Sequence, residues 1–111
     1  MDYRRELLKG NTDTLLLSLL QKQPMYGYQI IKELDRRSQG YFRFREGTLY
    51  PALHRLESIG LIRGVWESHA SGKKRRYYSL TEKGVQWLEA KVVEWQGFSS
   101  AVNMVMQPAA C

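Results

Sequence analysis

The chain has 111 residues, a formal net charge of +6 and 43% hydrophobic residues, which bounds it to one domain with a modest core and leaves no room for a large closed active-site cavity. Ten basic side chains (Arg36, Arg37, Arg43, Arg45, Arg55, Arg63, Lys73, Lys74, Arg75, Arg76) lie between residues 36 and 76 against Glu46, Glu57 and Glu67, a net +7, while seven basic and eight acidic groups leave −1 elsewhere. An excess confined in this way implies a polyanionic partner, most simply nucleic acid.

The first ten residues, MDYRRELLKG, are charged throughout and do not read as a secretory signal. The run LLLSLL at 15–20 is too short to span a bilayer. The single cysteine, Cys111, allows neither a disulfide nor a thiolate metal site and reads as a solvated tail thiol. These features suit a reducing cytoplasm, with no membrane, metal or cofactor expected.

Asn11, Thr12 and Asp13 open a first helix carrying the leucine run, and Pro24 ends that segment near Gln23. Met25 to Ser38 reads as a second helix, with Tyr26, Ile30, Ile31 and Leu34 on one side and Lys32, Asp35 and Arg36 on the other. A loop from Gln39 to Arg45 leads into a third helix between Glu46 and Leu61. There Thr48 is the expected cap, Pro51 is tolerable within the first turn, and Gly60 supplies a left-handed stop. Leu49, Leu53, Leu56 and Ile59 recur at helical spacing and face inward, leaving Thr48, Tyr50, Pro51, His54, Arg55 and Ser58 outside. Small, hydroxyl-bearing and basic side chains on a short helix are the composition of an element that enters the DNA major groove. Arg55 and His54 are placed to reach base edges, and Thr48 and Tyr50 to fix the helix on phosphates.

After Gly60 the pattern turns extended: IRGVWE at 62–67 and RRYYSL at 75–80 flank the turn SHASGKK. Tyr78 and Leu80 share one face, Tyr77 and Ser79 the other. A basic hairpin directly after a groove-reading helix is a wing, with Lys73, Lys74 and Arg75 set for phosphate or minor-groove contact. Thr81 then caps a last helix running to about Met106. At about 1.5 Å per residue it spans roughly 38 Å, more than a body of this size covers. Val85, Leu88, Val92, Trp95, Val102 and Met106 fall at heptad-like spacing, interrupted by Ser99, with Phe98 and Val105 widening the stripe. A second copy of the chain is the economical cover, through Leu88, Val92, Trp95, Phe98, Val102 and Met106.

The fold class read from these elements is mainly α with a small β-hairpin (α+β). Residues 1–80 form a winged helix-turn-helix and 81–111 a dimerisation helix with a short tail. An enzyme is disfavoured, since His54 and His69 stand fifteen residues apart with no carboxylate at metal-ligand spacing, and no glycine-rich phosphate loop is present. Tyr77–Tyr78 and Tyr26 with Tyr28 raise stacking on single-stranded RNA, but their spacing reads as core. The serious alternative is a winged-helix protein-interaction module without specific DNA binding, which retention of duplex DNA at low and moderate salt would separate.

Taken together, PMYGYQIIKEL at 24–34, EGTLYPALHRLESIGLI at 46–62, SGKKRRYYSLTEKG at 71–84 and the tryptophan of EW at 94–95 resemble the PadR family of bacterial transcriptional regulators. The resemblance runs from about Asn11 to Met106, and the single long last helix is similar to the compact subfamily that includes multidrug-sensing repressors. It implies a winged helix-turn-helix whose last helix embraces a second subunit, and ligand-relieved repression from a palindromic operator. By the same resemblance Thr48, Tyr50, Pro51, His54 and Arg55 correspond to the recognition face and Lys73, Lys74 and Arg75 to the wing. Trp95 matches an aromatic position lining a flat pore between subunits. With Phe98 it makes a candidate site for a planar aromatic or phenolic effector.

Overall fold

The computed structural model describes residues 10–107; the expectations for the first nine residues and for Cys111 lie outside them. Helix α1, Thr12–Leu20, buries Leu16, Leu17, Leu19 and Leu20 and so sits at the centre of the fold. A chain segment that is apolar on most sides has to be surrounded, and α2, α4 and the sheet do so.

The second helix begins later than its periodicity predicts. Met25–Tyr26 form a short strand, β1, and α2 runs Gly27–Arg37. Two competing interactions account for the shift. Met25 and Tyr26 pair antiparallel with Tyr78 and Tyr77, and the Gln29 side chain accepts a hydrogen bond from the Tyr26 amide at 3.1 Å, closing the helix start there. The Tyr26 ring meets Tyr77 edge-on at 5.4 Å. Strands β2, Ile62–Ser68, and β3, Lys74–Leu80, complete a three-stranded antiparallel sheet ordered β1-β3-β2. The expected hairpin is therefore present, with a third strand the alternation of its sequence does not announce.

Helix α3 runs Glu46–Ser58. It starts two residues before the expected cap: Arg45, in extended backbone, is the N-cap, and its carbonyl accepts from the amides of Thr48 and Leu49 at 3.0 and 2.9 Å. Thr48 thus stands inside the first turn and does not cap. Pro51 falls beyond the first turn, where it deprives the Gly47 carbonyl of its helical donor; both residues are exposed, which leaves that carbonyl open to solvent. Leu49, Leu53 and Leu56 are buried as predicted. Ile59 is exposed instead, because the helix ends at Ser58 and its period no longer governs the chain. Gly60 then turns the backbone with φ +83°, a conformation that favours glycine.

Helix α4, Glu82–Met106, is fastened to the end of α3. The Thr81 hydroxyl accepts from the Gly84 amide at 3.0 Å and donates to the Gly60 carbonyl at 2.6 Å. The Thr81 amide donates to the Leu61 carbonyl at 3.1 Å, and Lys83 Nζ to the Ile59 carbonyl at 2.8 Å. Gly84 lies so close to the Leu61 carbonyl that a Cβ there would collide with it. The first turns of α4 belong to the common core: Leu88 is 1% exposed, and Trp87 and Val92 pack against it partly buried. Leu88, expected at a dimer face, is instead buried in the core of the chain itself, and Val92 is partly so. Further along, Trp95, Phe98, Met104, Val105 and Met106 stand exposed while Val102 is half-buried. No helix among the described residues is long and apolar enough to cross a membrane.

Candidate nucleic-acid interface

Burying Leu49, Leu53 and Leu56 leaves the other side of α3 to present Thr48, Tyr50, Pro51, His54 and Arg55, all exposed. Tyr50 leans back over α2, and its ring occupies the space a side chain at Gly27 would need. Tyr50 and His54 meet Lys74 and Arg75 of β3 along one cleft of about 360 Å³, also lined by Tyr26, Trp66 and Arg76. A neighbouring cleft of about 510 Å³ is lined by His54, Glu57, Ser58, Trp66 and Arg76. Helix and wing residues singled out separately in the sequence thus share one surface. Thr48 and Pro51 are exposed outside both clefts, and Lys73 stands exposed in the wing turn.

The strand register sorts the wing residues. Gly64 opposes Tyr78, Trp66 opposes Arg76 and Ser68 opposes Lys74, so these six share a face, while Arg75 belongs to the other. Tyr78 is buried and its hydroxyl pKa is raised, chiefly by desolvation, which marks this face as the one turned to the body. Arg75 lies over the Tyr26 ring at 4.4 Å, a cation–π contact. The turn is closed by the Gly72 amide donating to the His69 carbonyl at 2.8 Å and the His69 amide to the Lys73 carbonyl at 2.7 Å.

A carboxylate joins the wing to α3. Glu57 Oε2 accepts from the Arg76 guanidinium at 2.6 Å and from the Gly64 amide at 3.1 Å. Arg76 lies 5.8 Å from the centroids of both Trp66 and Tyr78. Both strands of the wing are therefore tied to the turn of α3 that follows His54.

Arg55, expected to reach a base edge, is paired with a carboxylate in the free chain. Its two terminal nitrogens donate to the carboxylate of Asp13 on α1 at 2.8 and 2.5 Å, and that hydrogen bonding is the main cause raising its pKa above the ordinary guanidinium value. Sequence reasoning counted Arg76 with the basic wing but missed Asp13, Glu57 and Trp66 as parts of this surface. For Trp66 a signal existed: it shares strand parity with Ile62 and Gly64, which places it on the body side of the sheet. The long-range carboxylate partners left no local trace. On α4 the Trp95 and Phe98 rings lie 6.0 Å apart at 34° and border a separate cleft of about 290 Å³ with Gly10, Asn11, Thr14, Lys91 and Glu94.

Residues 16–90 match the Transcriptional regulator PadR-like family. The chain belongs to that family. It superimposes with a TM-score of 0.83 on a PadR-like transcriptional regulator from Bacillus cereus, at 31% identity over 94% of this chain and 99% of that one. The transcriptional regulator YqjI of Escherichia coli is 34% identical over 80 residues, 72% of this chain, and this PadR-like chain spans only 37% of that longer protein. A Bacillus subtilis PadR solved in complex with operator DNA has the same fold, with a TM-score of 0.68 at 23% identity over 74% of this chain and 46% of that one. The α+β winged helix-turn-helix read from the sequence is the fold of this family.

Proposed function

We propose that this PadR-like chain binds double-stranded DNA sequence-specifically as a homodimer on a palindromic operator, and represses transcription until a small planar aromatic or phenolic ligand releases it. The observation that carries the DNA reading is the shared cleft in which Tyr50 and His54 of α3 meet Lys74 and Arg75 of the wing. A helix end and a cationic strand on one surface match a major groove and its adjoining phosphates. The PadR crystallised with operator DNA supports the same reading. Within this face His54 reads base edges, Thr48, Tyr50 and Pro51 set the helix end against the backbone, and Lys73, Lys74 and Arg75 grip phosphates. Arg55 joins the base readers only by exchanging Asp13 for a guanine edge.

In this reading residues 1–80 are the DNA-binding unit and 81–111 the dimerisation unit. Trp95, Phe98, Val102 and Met106 carry the dimer contact, and the exposed apolar stripe at 95–106 supports it. Two recognition helices must stand about 34 Å apart to enter successive turns of the major groove. A flat ligand beside Trp95 and Phe98 alters that distance by changing how two α4 helices pack, so ligand and operator oppose each other through one linked equilibrium.

The test is a titration of labelled duplexes, one from the DNA beside the gene and one of random sequence, over a salt series. Tighter binding to the first with a steep salt dependence is expected. Weak and equal retention of both is the outcome of a protein-interaction module and overturns the proposal. Intrinsic fluorescence with planar cationic and phenolic compounds tests the effector, and unchanged emission with unchanged operator affinity across the panel removes it.

A further inference from the structure

Trp66 is the anomaly of the wing. It is 61% exposed although it sits on the body-facing side of the sheet, in strand parity with the buried Ile62. It lines both clefts between α3 and the wing. The surroundings are cationic and polar: Arg76 lies across its ring, His54 faces it from α3, and Lys74 follows Arg76 on the same strand face. Glu57, the acidic group lining one of these clefts, already serves the Arg76 guanidinium and the Gly64 amide. An exposed indole held by a cross-strand arginine presents a flat apolar ring and one N–H donor, with little conformational freedom left to lose on binding.

We propose that Trp66 is a DNA-contacting residue that seats one sugar-phosphate unit of duplex DNA between the wing and the recognition helix. The indole N–H donates to a phosphate oxygen, the ring face packs on the deoxyribose, and Lys74 supplies the charge. The inference rests on the DNA reading given above, and charge complementarity selects the occupant: a polyanion with an apolar sugar fits a cationic cleft with an aromatic wall. Trp66 thereby fixes how deeply the wing approaches the backbone, and with it the register of α3 in the groove.

The test uses the full chain and its Trp66→Phe and Trp66→Ala variants, titrated with operator duplex, random duplex and single-stranded DNA, following affinity and tryptophan emission. Trp66 is exposed, so neither variant should lose the fold, and circular dichroism and sedimentation confirm this. Expected are a DNA-dependent change in emission that disappears in Trp66→Phe, and a loss of duplex affinity of about tenfold in Trp66→Ala, the scale of one hydrogen bond to a charged group. Because indole is neutral, the salt slope should stay at its wild-type value, whereas Lys74→Ala lowers it by about one. Wild-type duplex affinity and emission change retained by both variants would overturn the Trp66 contact while leaving the DNA reading intact. A wild-type chain that binds no duplex overturns both. A shift of Trp66→Ala toward monomer assigns the face to a second copy and overturns the contact, as does a stronger effect on single-stranded than on duplex DNA.

Discussion

Arg55 on α3 is held by Asp13 on α1, forty-two residues earlier, through two hydrogen bonds at 2.5 and 2.8 Å. The pair ties the reading element to the central helix of the fold. It also occupies the donors a guanine would need, so in the proposed DNA complex the carboxylate competes with the base for the guanidinium.

Asp13→Ala should therefore move stability and DNA binding in opposite directions. The Arg55 side chain is 52% exposed, so solvent screening limits the loss of stability to about 1 kcal/mol or less, read as a small fall in thermal midpoint. The released guanidinium should raise affinity for operator and random duplex alike and steepen the salt slope by about one. An unchanged slope would show that Arg55 stays off DNA whether or not Asp13 holds it.

Glu57 is the counterpart on the wing side. Glu57→Ala removes the acceptor for both the Gly64 amide and Arg76, whose side chain is 31% exposed. The expected cost is about 1–3 kcal/mol, most of it from partners left unsatisfied. Faster hydrogen exchange at Gly64 than in the parent chain is the local readout, and unchanged protection there argues against the clamp.

These two carboxylates show where the sequence stops being legible. The helices, the hairpin and the long last helix follow from periodicity and punctuation: Leu49, Leu53 and Leu56 are spaced for burial, Gly60 stops the chain, and Thr81 caps as its position predicts. The positions proposed to face DNA, Tyr50, His54, Lys74 and Arg75, follow from the same local rules and share one cleft. Asp13 and Glu57 have partners 42 and 19 residues away, and nothing in local spacing encodes such distances. The strand at Met25–Tyr26 was hidden for the same reason, since its helical periodicity yields to pairing with Tyr77 and Tyr78. Thr48 was misplaced because a cap signal does not specify which of several early residues starts the helix, and Arg45 takes that position by backbone geometry alone.

Glu33 gives the chain a defined acid response. Its carboxylate accepts from Arg36 and Arg37 on the same helix, and these hydrogen bonds, Arg36 first, bring its pKa down to about 2. A folded value below the unfolded one means that the contribution is complete above the ordinary carboxylate range near 4.5 and is lost as pH falls toward about 2. Glu33→Gln should thus unfold at a lower temperature than the parent at pH 7, with the two midpoints converging on acidification. A difference that persists unchanged to pH 2 would refute this origin. High salt should shrink it as well, because the pair lies at the surface.

The junction between α3 and α4 is the last point of leverage. Gly84 faces the Leu61 carbonyl with no space for a methyl group, whereas Gly47 in the first turn of α3 opens onto free space. Alanine has the higher helix propensity at both positions, so propensity alone predicts stabilisation twice. Packing reverses the sign at Gly84. Gly84→Ala must push α4 off Leu61, strain the hydrogen bonds of Thr81 to Gly60 and Leu61, and cost about 1–3 kcal/mol. Gly47→Ala should gain roughly 0.5–1 kcal/mol. Thermal unfolding of both variants at matched concentration checks the pair. Operator affinity adds a readout that simple destabilisation does not move in the still-folded protein: Gly84→Ala should weaken it at temperatures well below unfolding, because a displaced α4 carries the end of α3, the helix proposed to read DNA, with it. Wild-type affinity in a folded Gly84→Ala protein would mean that the two helices are not mechanically linked.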